Sequence, residues 1–428
     1  MKRVLIIAYY FNDENMGAIR LRRIAKYLPR LGYEPTILTA LPETIVVKEI
    51  AGVRIERVKA LDLKAVYERI KGRKEAEVVR GSEPGALPKS KNTKLTAWLN
   101  RWLMIPDKQI PWLWPAVRRG RELLSAEPYD LIFASLEPRT NLLVAAKLAK
   151  FSGLPCVMEY RDLWNNNPYH HQQQPSAFHK WLHGCLERYV LSRATCLSTV
   201  CRGIQTYLQM MRTSNVSREV GLVYNFYDPD EYPDEQKLSA EKKTFTVIYT
   251  GAMYFSRNPY AFFKGFRLFL DKYALPPEAI QFKWMGVTAA LPELEQALKE
   301  LQLVQYLDFQ GIVDHEAALS ALCSADAALI LQSPEDAIHI PGKLYEALGA
   351  RVPVLALSKP CEVTEIIDRV HGGIHVPHEP KAVCRALQEL WQLHQDGRVW
   401  AYNEAEVEKF SAGQMVGRLA RLFEQVCS

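Results

Sequence analysis

The chain has 428 residues, 48% hydrophobic and 24% charged, which is enough apolar material for more than one core, so two domains are the natural expectation. A formal net charge of +6 is mild, admitting a phosphate-bearing ligand or an anionic surface without demanding either. The eight cysteines form no CxxC pair and no Cys/His cluster of metal spacing, which argues against a zinc site or a disulfide framework and points to a reduced, cytosolic setting.

The opening MKRVLIIAYYF reads as a buried strand and not a leader: its apolar run is short, lacks a small-residue cleavage site and meets Asp13 and Glu14 at once. Gly17 sits in the turn that follows. A helix over 18–31 then places Leu21, Ile24, Ala25, Leu28 and Leu31 on one face. Strands follow at EPTILT, DLIFAS, CVMEY and TCLSTV. Residues 69–93 are charged, Gly/Pro-dotted and poor in apolar side chains, the composition of a mobile loop.

From Lys89 to Arg121, basic residues surround the single acid Asp107, with Trp98, Trp102, Trp112 and Trp114 interleaved. Leu95, Trp98, Leu99, Trp102 and Leu103 share a helical face, so 94–121 suits either a peripheral membrane contact or packing against the first sheet. Pro106, Pro111 and Pro115 are expected to stop this helix. No RNA- or DNA-binding motif accompanies the aromatics, and no nucleic-acid partner is expected. Nowhere do about 18 apolar residues run together, so no spanning helix is expected.

The stretch 225–243, rich in Pro, Asp, Glu and Lys, reads as a seam. Beyond it a second strand–helix alternation has strands at TVIYTG, FKWMG, LDFQG, AALILQ, VPVLAL and GGIHV. Residues 403–426 close the chain with helical spacing. Two βαβ sets of this kind predict an α/β protein with two parallel sheets.

The most informative segment is IPGKLYEALGARVPVLAL, where Pro341 and Gly342 open a helix after a strand and turn. Unpaired amides and the dipole at a helix start make a site for a diphosphate. Lys343 adds a positive charge, and Glu346, one turn on, can accept hydrogen bonds from both ribose hydroxyls. The same residues also fit an ordinary helix start, where a glutamate complements the dipole. Gly17 and Gly251, each in the turn after the first strand of its half, allow a close backbone approach to phosphate or serve as plain turn glycines. Asp162 of YRDLWNNNP follows a strand whose carboxyl end should face the cleft, where it either orients an acceptor hydroxyl or caps the next helix with Arg161. His170, His171 and His315 default to surface histidines.

The donor segment resembles that of retaining family 4 glycosyltransferases of the GT-B fold, in the variant where Pro-Gly/Ser-Lys precedes the helix and its glutamate. YYFNDENMGAIRLRRIAKYLPRLGYEPTILT, MEYRDLWNNNP, VYNFYDPDEY, VIYTGAMYFSRNP and LDFQGIVDHEAALSALCSADAALIL agree with it in order, so the resemblance spans nearly the whole chain. It implies two Rossmann-like domains, 1–225 on the acceptor side and 226–400 on the nucleotide-sugar side, facing a central cleft, with 401–428 forming a helix that returns to the first domain. It implies that Glu346 binds the ribose, that Gly342, Lys343 and the Leu344 amide face the diphosphate, and that Val313 lies against the base.

The family often has an arginine straight after the glycine held here by Gly251; this chain has Ala252, which leaves Arg257 as the cation expected to stabilise the departing diphosphate. The family's earlier glutamate falls on Ile338, with Glu335 and Asp336 out of register, so its contact with the sugar hydroxyls is not carried over. The implied activity is transfer of a sugar, with retention, from a nucleoside diphosphate donor to a hydroxyl of a lipid-linked or cell-surface glycan, as in polysaccharide biosynthesis. No metal and no cofactor is implied. The setting is cytoplasmic, with the inner face of the plasma membrane as the site of any peripheral contact. A GT-B sugar-nucleotide epimerase and a catalytically silent nucleotide-binding subunit of a cell-envelope assembly complex are the alternatives.

Overall fold

The computed structural model describes residues 1–12, 16–40, 50–61, 105–165, 176–211, 220–233, 244–253, 258–287, 293–333 and 338–427. In the first half the elements are β1 (Lys2–Ile7), α1 (Met16–Tyr27), β2 (Tyr33–Thr39), β3 (Arg54–Arg57), α2 (Leu113–Ala126), β4 (Leu131–Leu136), α3 (Arg139–Ser152), β5 (Cys156–Tyr160), α4 (Ala177–Leu191), β6 (Cys196–Thr199), α5 (Arg202–Met210) and β7 (Gly221–Leu222). The second half contains β8 (Phe245–Thr250), α6 (Tyr260–Tyr273), β9 (Ile280–Met285), α7 (Leu294–Glu300), β10 (Leu307–Gly311), α8 (His315–Cys323), β11 (Ala327–Leu331), α9 (Gly342–Ala350), β12 (Val354–Leu357), α10 (Glu362–Val370), β13 (Gly373–Val376) and α11 (Pro380–Gln395). Two helices close it, α12 (Glu404–Glu408) and α13 (Ala412–Cys427).

Among the described residues the strands form two sheets, ordered β3-β2-β1-β4-β5-β6-β7 and β10-β9-β8-β11-β12-β13. Every pairing between named strands is parallel. These are two Rossmann-like domains in the GT-B arrangement, each with its strand order reversing beside its first strand. Ligands of open α/β sheets collect at such a reversal, outside the carboxyl ends of the strands. Gly251 follows β8 in a turn, whereas Gly17, expected in the turn after β1, is the second residue of α1; both stand near these two points.

The apolar-rich runs are the central strands, β1, β4, β5, β11 and β12, whose side chains are largely buried on both faces. Two edge strands had no such signal: β3 is RIER and β7 is only two residues long. The expected helix over 18–31 begins at Met16 and ends as α-helix at Tyr27; Pro29 lacks an amide and the chain tightens into a 3₁₀ turn over Leu28–Leu31.

The helix that Pro106, Pro111 and Pro115 are expected to stop lies outside the described residues. Pro111 lies in a 3₁₀ turn and Pro115 in the first turn of α2, where a missing amide costs nothing. The closing stretch is likewise two helices, broken at Lys409–Ser411, because Phe410 and Ala412 exchange backbone hydrogen bonds with Tyr227.

α13 crosses back to the first domain. Phe423 packs edge-on to Tyr33 at 5.5 Å and lies 5.4 Å from Phe133, while the Tyr33 hydroxyl donates to the Ala420 carbonyl. One core runs through the first sheet, α13 and the near face of the second sheet; a second, phenylalanine-rich core lies between the second sheet and α6 and α11.

The two tryptophans of the basic aromatic segment among the described residues differ in burial. Trp112 is buried, its Nε1 donating to the Val58 carbonyl, whereas Trp114 is 60% exposed beneath the Lys147 ammonium. Trp98 and Trp102 lie outside the described residues. Among the described residues no helix is long and apolar enough to cross a membrane.

Candidate functional site

α9 starts directly at the cleft because Pro341, extended at φ −61° and ψ 132°, delivers Gly342 as the first helical residue. The Leu344 amide donates to the Pro341 carbonyl at 3.0 Å. It therefore closes the first turn of α9.

Lys343 bends toward the end of β8. Its Nζ lies 3.7 Å above the centre of the Tyr249 ring, and a Cβ added to Gly251 would sit 3.2 Å from it. Gly251 has φ of +107°, a conformation that only glycine adopts without strain, and its carbonyl would meet any side chain at Gly286. This turn thus brings a backbone strand end against the ammonium group. Tyr249 also donates to the Ala252 carbonyl, at the position where an arginine was missed. Arg257 lies outside the described residues.

Glu346 is 7% exposed, and its Oε1 is buried without a hydrogen bond. His315 Nδ1 lies 3.8 Å from that oxygen. Val313 is half-buried two residues before His315, beside an Ile312 that is almost fully exposed.

His315 is not the surface histidine expected. Its Nε2 lies 3.1 Å from Glu231 Oε2, and Arg23 grips both oxygens of the same carboxylate, Nε to Oε1 at 3.0 Å and Nη2 to Oε2 at 2.5 Å. Burial raises the Glu231 carboxyl, but the hydrogen bonds from His315 and Arg23 outweigh it and bring the pKa down to about 2. Burial lowers that of His315, yet the net shift is upward, through the Glu231 hydrogen bond and the charge of Glu346. A cavity of about 1000 Å³ opens beside this cluster, lined by Arg22, Arg23, Lys26, Glu231, His315 and Leu319.

On the acceptor side, the Arg161 guanidinium is held by the Leu136 and Glu137 carbonyls and lies against Gly17, where a Cβ would collide with it. The open face expected at Gly17 is therefore covered by an arginine. Asp162 does not merely pair with Arg161: its Oδ1 is 3.6 Å from His339 Nε2, a residue of the second half two positions before Pro341. Ile338 rests against Gly203 of α5. His170 and His171 lie outside the described residues.

The structure thus groups Gly251 with Lys343, Glu346 with His315, and Gly17 with Arg161, and it adds Arg23, Tyr249, Glu231 and His339. The amphipathic pattern of α1 carried a signal for Arg23: an arginine on the buried face of a helix needs a carboxylate. Nothing local marked Glu231 or His339, whose partners are distant in sequence.

Two family models match the chain, a glycosyl transferase 4-like domain over residues 17–220 and glycosyl transferases group 1 over residues 244–393. No curated protein matches its sequence. Among solved structures, sucrose-phosphate synthase from Thermosynechococcus elongatus is similar with a TM-score of 0.67 at 15% identity, covering 100% of this chain and 99% of that one. HepE from Anabaena, solved in complex with UDP and glucose, gives 0.62 at 15% identity, covering 99% and 100%. The UDP-GlcNAc 2-epimerase from Methanocaldococcus jannaschii gives 0.51 at 12% identity, covering 99% and 100%.

Proposed function

The chain belongs to the GT-B glycosyltransferases that join a 4-like domain to a group 1 domain, and from that premise we propose that it moves a sugar, with retention, from a nucleoside diphosphate to an acceptor hydroxyl. The observation that carries this reading is the pairing at α9. An ammonium group stands at the helix start against the Gly251 turn, and one turn later a buried carboxylate presents an oxygen with no hydrogen bond. A cation beside a helix N-terminus suits a diphosphate, and an acceptor-only carboxylate suits two vicinal ribose hydroxyls.

In the proposed reaction the acceptor oxygen attacks the anomeric carbon from the face the diphosphate leaves. The new carbon–oxygen bond forms as the sugar–phosphate bond breaks, and the acceptor proton passes to an oxygen of the departing diphosphate. Lys343, the amides at the start of α9 and Arg257 neutralise the charge that builds on that leaving group. Asp162 orients the acceptor hydroxyl. Gly17 leaves room for the Arg161 guanidinium, Val313 lies against the base, and closure of the halves excludes water that would hydrolyse the donor.

UDP is the first donor base to test, since HepE is solved with UDP and with UDP-glucose. The acceptor proposed is a lipid-linked or cell-surface glycan. Contact with the inner face of the plasma membrane would be made through the basic aromatic face that bears Trp114.

Calorimetry against UDP, GDP, TDP and CMP tests the donor site, followed by sugar screening with the best base. Glu346→Ala should weaken binding by about 1.5 to 3 kcal/mol, the range for a charge-assisted bond. Unchanged affinity in a folded variant removes its role. The epimerase similarity is addressed by incubating donor alone: an epimerase alters the sugar, whereas a transferase slowly hydrolyses it.

A further inference from the structure

We propose that His315 is a positioning residue for the donor site: while protonated it holds the Glu346 carboxylate, from its own anchor on Glu231, in the orientation that receives the ribose. This rests on the reading of Glu346 as the ribose contact.

The ring lies between two carboxylates. Nε2 faces Glu231 Oε2 at 3.1 Å, and Nδ1 faces Glu346 Oε1 at 3.8 Å. A carboxylate only accepts, and a neutral imidazole has one N–H, so the neutral ring serves one neighbour and opposes the other with a lone pair. The imidazolium serves both. Glu231 cannot turn away to relieve the conflict, because Arg23 holds both of its oxygens and is itself fixed to the Phe226 carbonyl at 2.7 Å.

The remaining charges around the ring act in both directions. Arg23 Nη2, 3.4 Å from Nε2, opposes protonation, as does the start of α8, where His315 is the first helical residue. Asp314, which caps α8, and Glu316 are its acidic neighbours in the chain, and Glu231 and Glu346 are the charges that favour it. Tyr232 approaches from the chain joining the two halves and donates its hydroxyl to the Glu346 carbonyl, fixing the backbone beneath that carboxylate. Burial works against protonation, and the hydrogen bond to Glu231 with the charges of Glu346 and Glu231 makes the net shift of His315 upward.

The arrangement draws on both domains: Arg23 is in α1, Glu231 in the connection, His315 in α8 and Glu346 in α9. As pH rises and His315 loses its proton, Glu346 loses the group that faces it. Donor affinity then falls. The diphosphate charge is neutralised elsewhere, at Lys343, so the donor KM rises with pH while kcat changes little.

The test is calorimetry with UDP, GDP, ADP and TDP, taking the tightest binder of the wild-type chain, between pH 6 and pH 9. The variants are His315→Asn, His315→Ala and Glu346→Ala. Asn offers an amide N–H near Nδ1 that does not titrate, and dividing the wild-type profile by its profile removes the nucleotide's own phosphate titration. The corrected wild-type Kd should rise about two- to fivefold with pH, the worth of a modest ion pair. His315→Ala, divided by the same profile, should be flat with pH and uniformly weaker. Wild-type and Asn profiles that run parallel, with Glu346→Ala still impaired, overturn the role of His315 alone. A Glu346→Ala variant that binds normally, or a chain that binds none of the four, overturns the donor-site reading and this inference with it.

Discussion

Asp162 of the first half and His339 of the second face each other with 3.6 Å between Oδ1 and Nε2. The first follows β5 and the second precedes the helix start that carries Lys343, so the pair stands between the proposed acceptor and donor sides. A carboxylate in that place can hold an acceptor hydroxyl, and the imidazole can keep the carboxylate aimed. Asp162→Asn should therefore lower kcat for transfer by about 10²-fold, the low end for a lost acid–base group. Slow donor hydrolysis in the absence of acceptor should persist, and steady-state rates with and without acceptor check both. Full transfer activity would reduce the pair to a contact between the halves.

Lys343 is placed to act on the diphosphate and not on the nucleoside, since its ammonium reaches the Gly251 turn and its helix start, away from Glu346. Lys343→Ala should slow turnover by about 10²- to 10³-fold, the effect of removing a donor aimed at developing charge. It should also weaken a nucleoside diphosphate more than the matching monophosphate. Equal weakening of the two would show that the lysine serves the fold of the site and not the leaving group.

Much of this architecture was legible in the chain. β1 and β11 announce themselves as aliphatic runs because central parallel strands are covered on both faces. IPGKLYE likewise marks a helix start with a cation and a carboxylate one turn apart. What was hidden depends on partners far away. Arg20 looks like a surface arginine until Glu159, 139 residues later, meets it at 2.6 Å in a buried pair, with the Val223 and Tyr224 carbonyls taking its other donors. His315 and His339 were indistinguishable from exposed histidines for the same reason, and β3 carries charges at a sheet edge where no apolar pattern is required.

Glu187 offers a pH test away from the cleft. Its side chain is fully buried, hydrogen-bonded by Asn165 at 2.6 Å and by the Tyr207 hydroxyl, and burial pushes its pKa up to about 7. Between the ordinary value of 4.5 and about 7, the folded chain holds a proton that the unfolded chain has released. Its contribution to stability is therefore full at low pH and falls as pH rises through that window, by about 3 kcal/mol in total. Glu187→Gln removes this loss, so urea unfolding at pH 8.5 should find the variant more stable than the wild type, with the difference shrinking at pH 5. A wild type that is the more stable of the two at pH 8.5 would show that the ionised carboxylate is well solvated or paired.

The outer face of the first domain gives the last test. α2, α3 and α4 pack side by side and carry aromatic rings capped by cations: Lys147 over Trp114 at 4.7 Å, Arg121 over Phe151 at 4.9 Å, and Arg193 over Tyr189 at 5.9 Å. Trp114 and Phe151 are both about half exposed or more, at 60% and 48%. Rings at this level bury readily among lipid headgroups while the ammonium and guanidinium groups meet phosphate, so membrane binding through this face must depend on both anionic lipid and salt. Co-sedimentation with vesicles containing phosphatidylglycerol should exceed that with phosphatidylcholine alone and should fall with added salt. Lys147→Glu should weaken it several-fold, since each basic residue near such a surface contributes about 1 kcal/mol. Trp114→Ser should weaken it on both vesicle types, because its part is apolar insertion and not charge. Equal binding by the wild type and both variants would assign any membrane contact to another surface, leaving the capped rings as cation–π pairs that serve the helix layer alone.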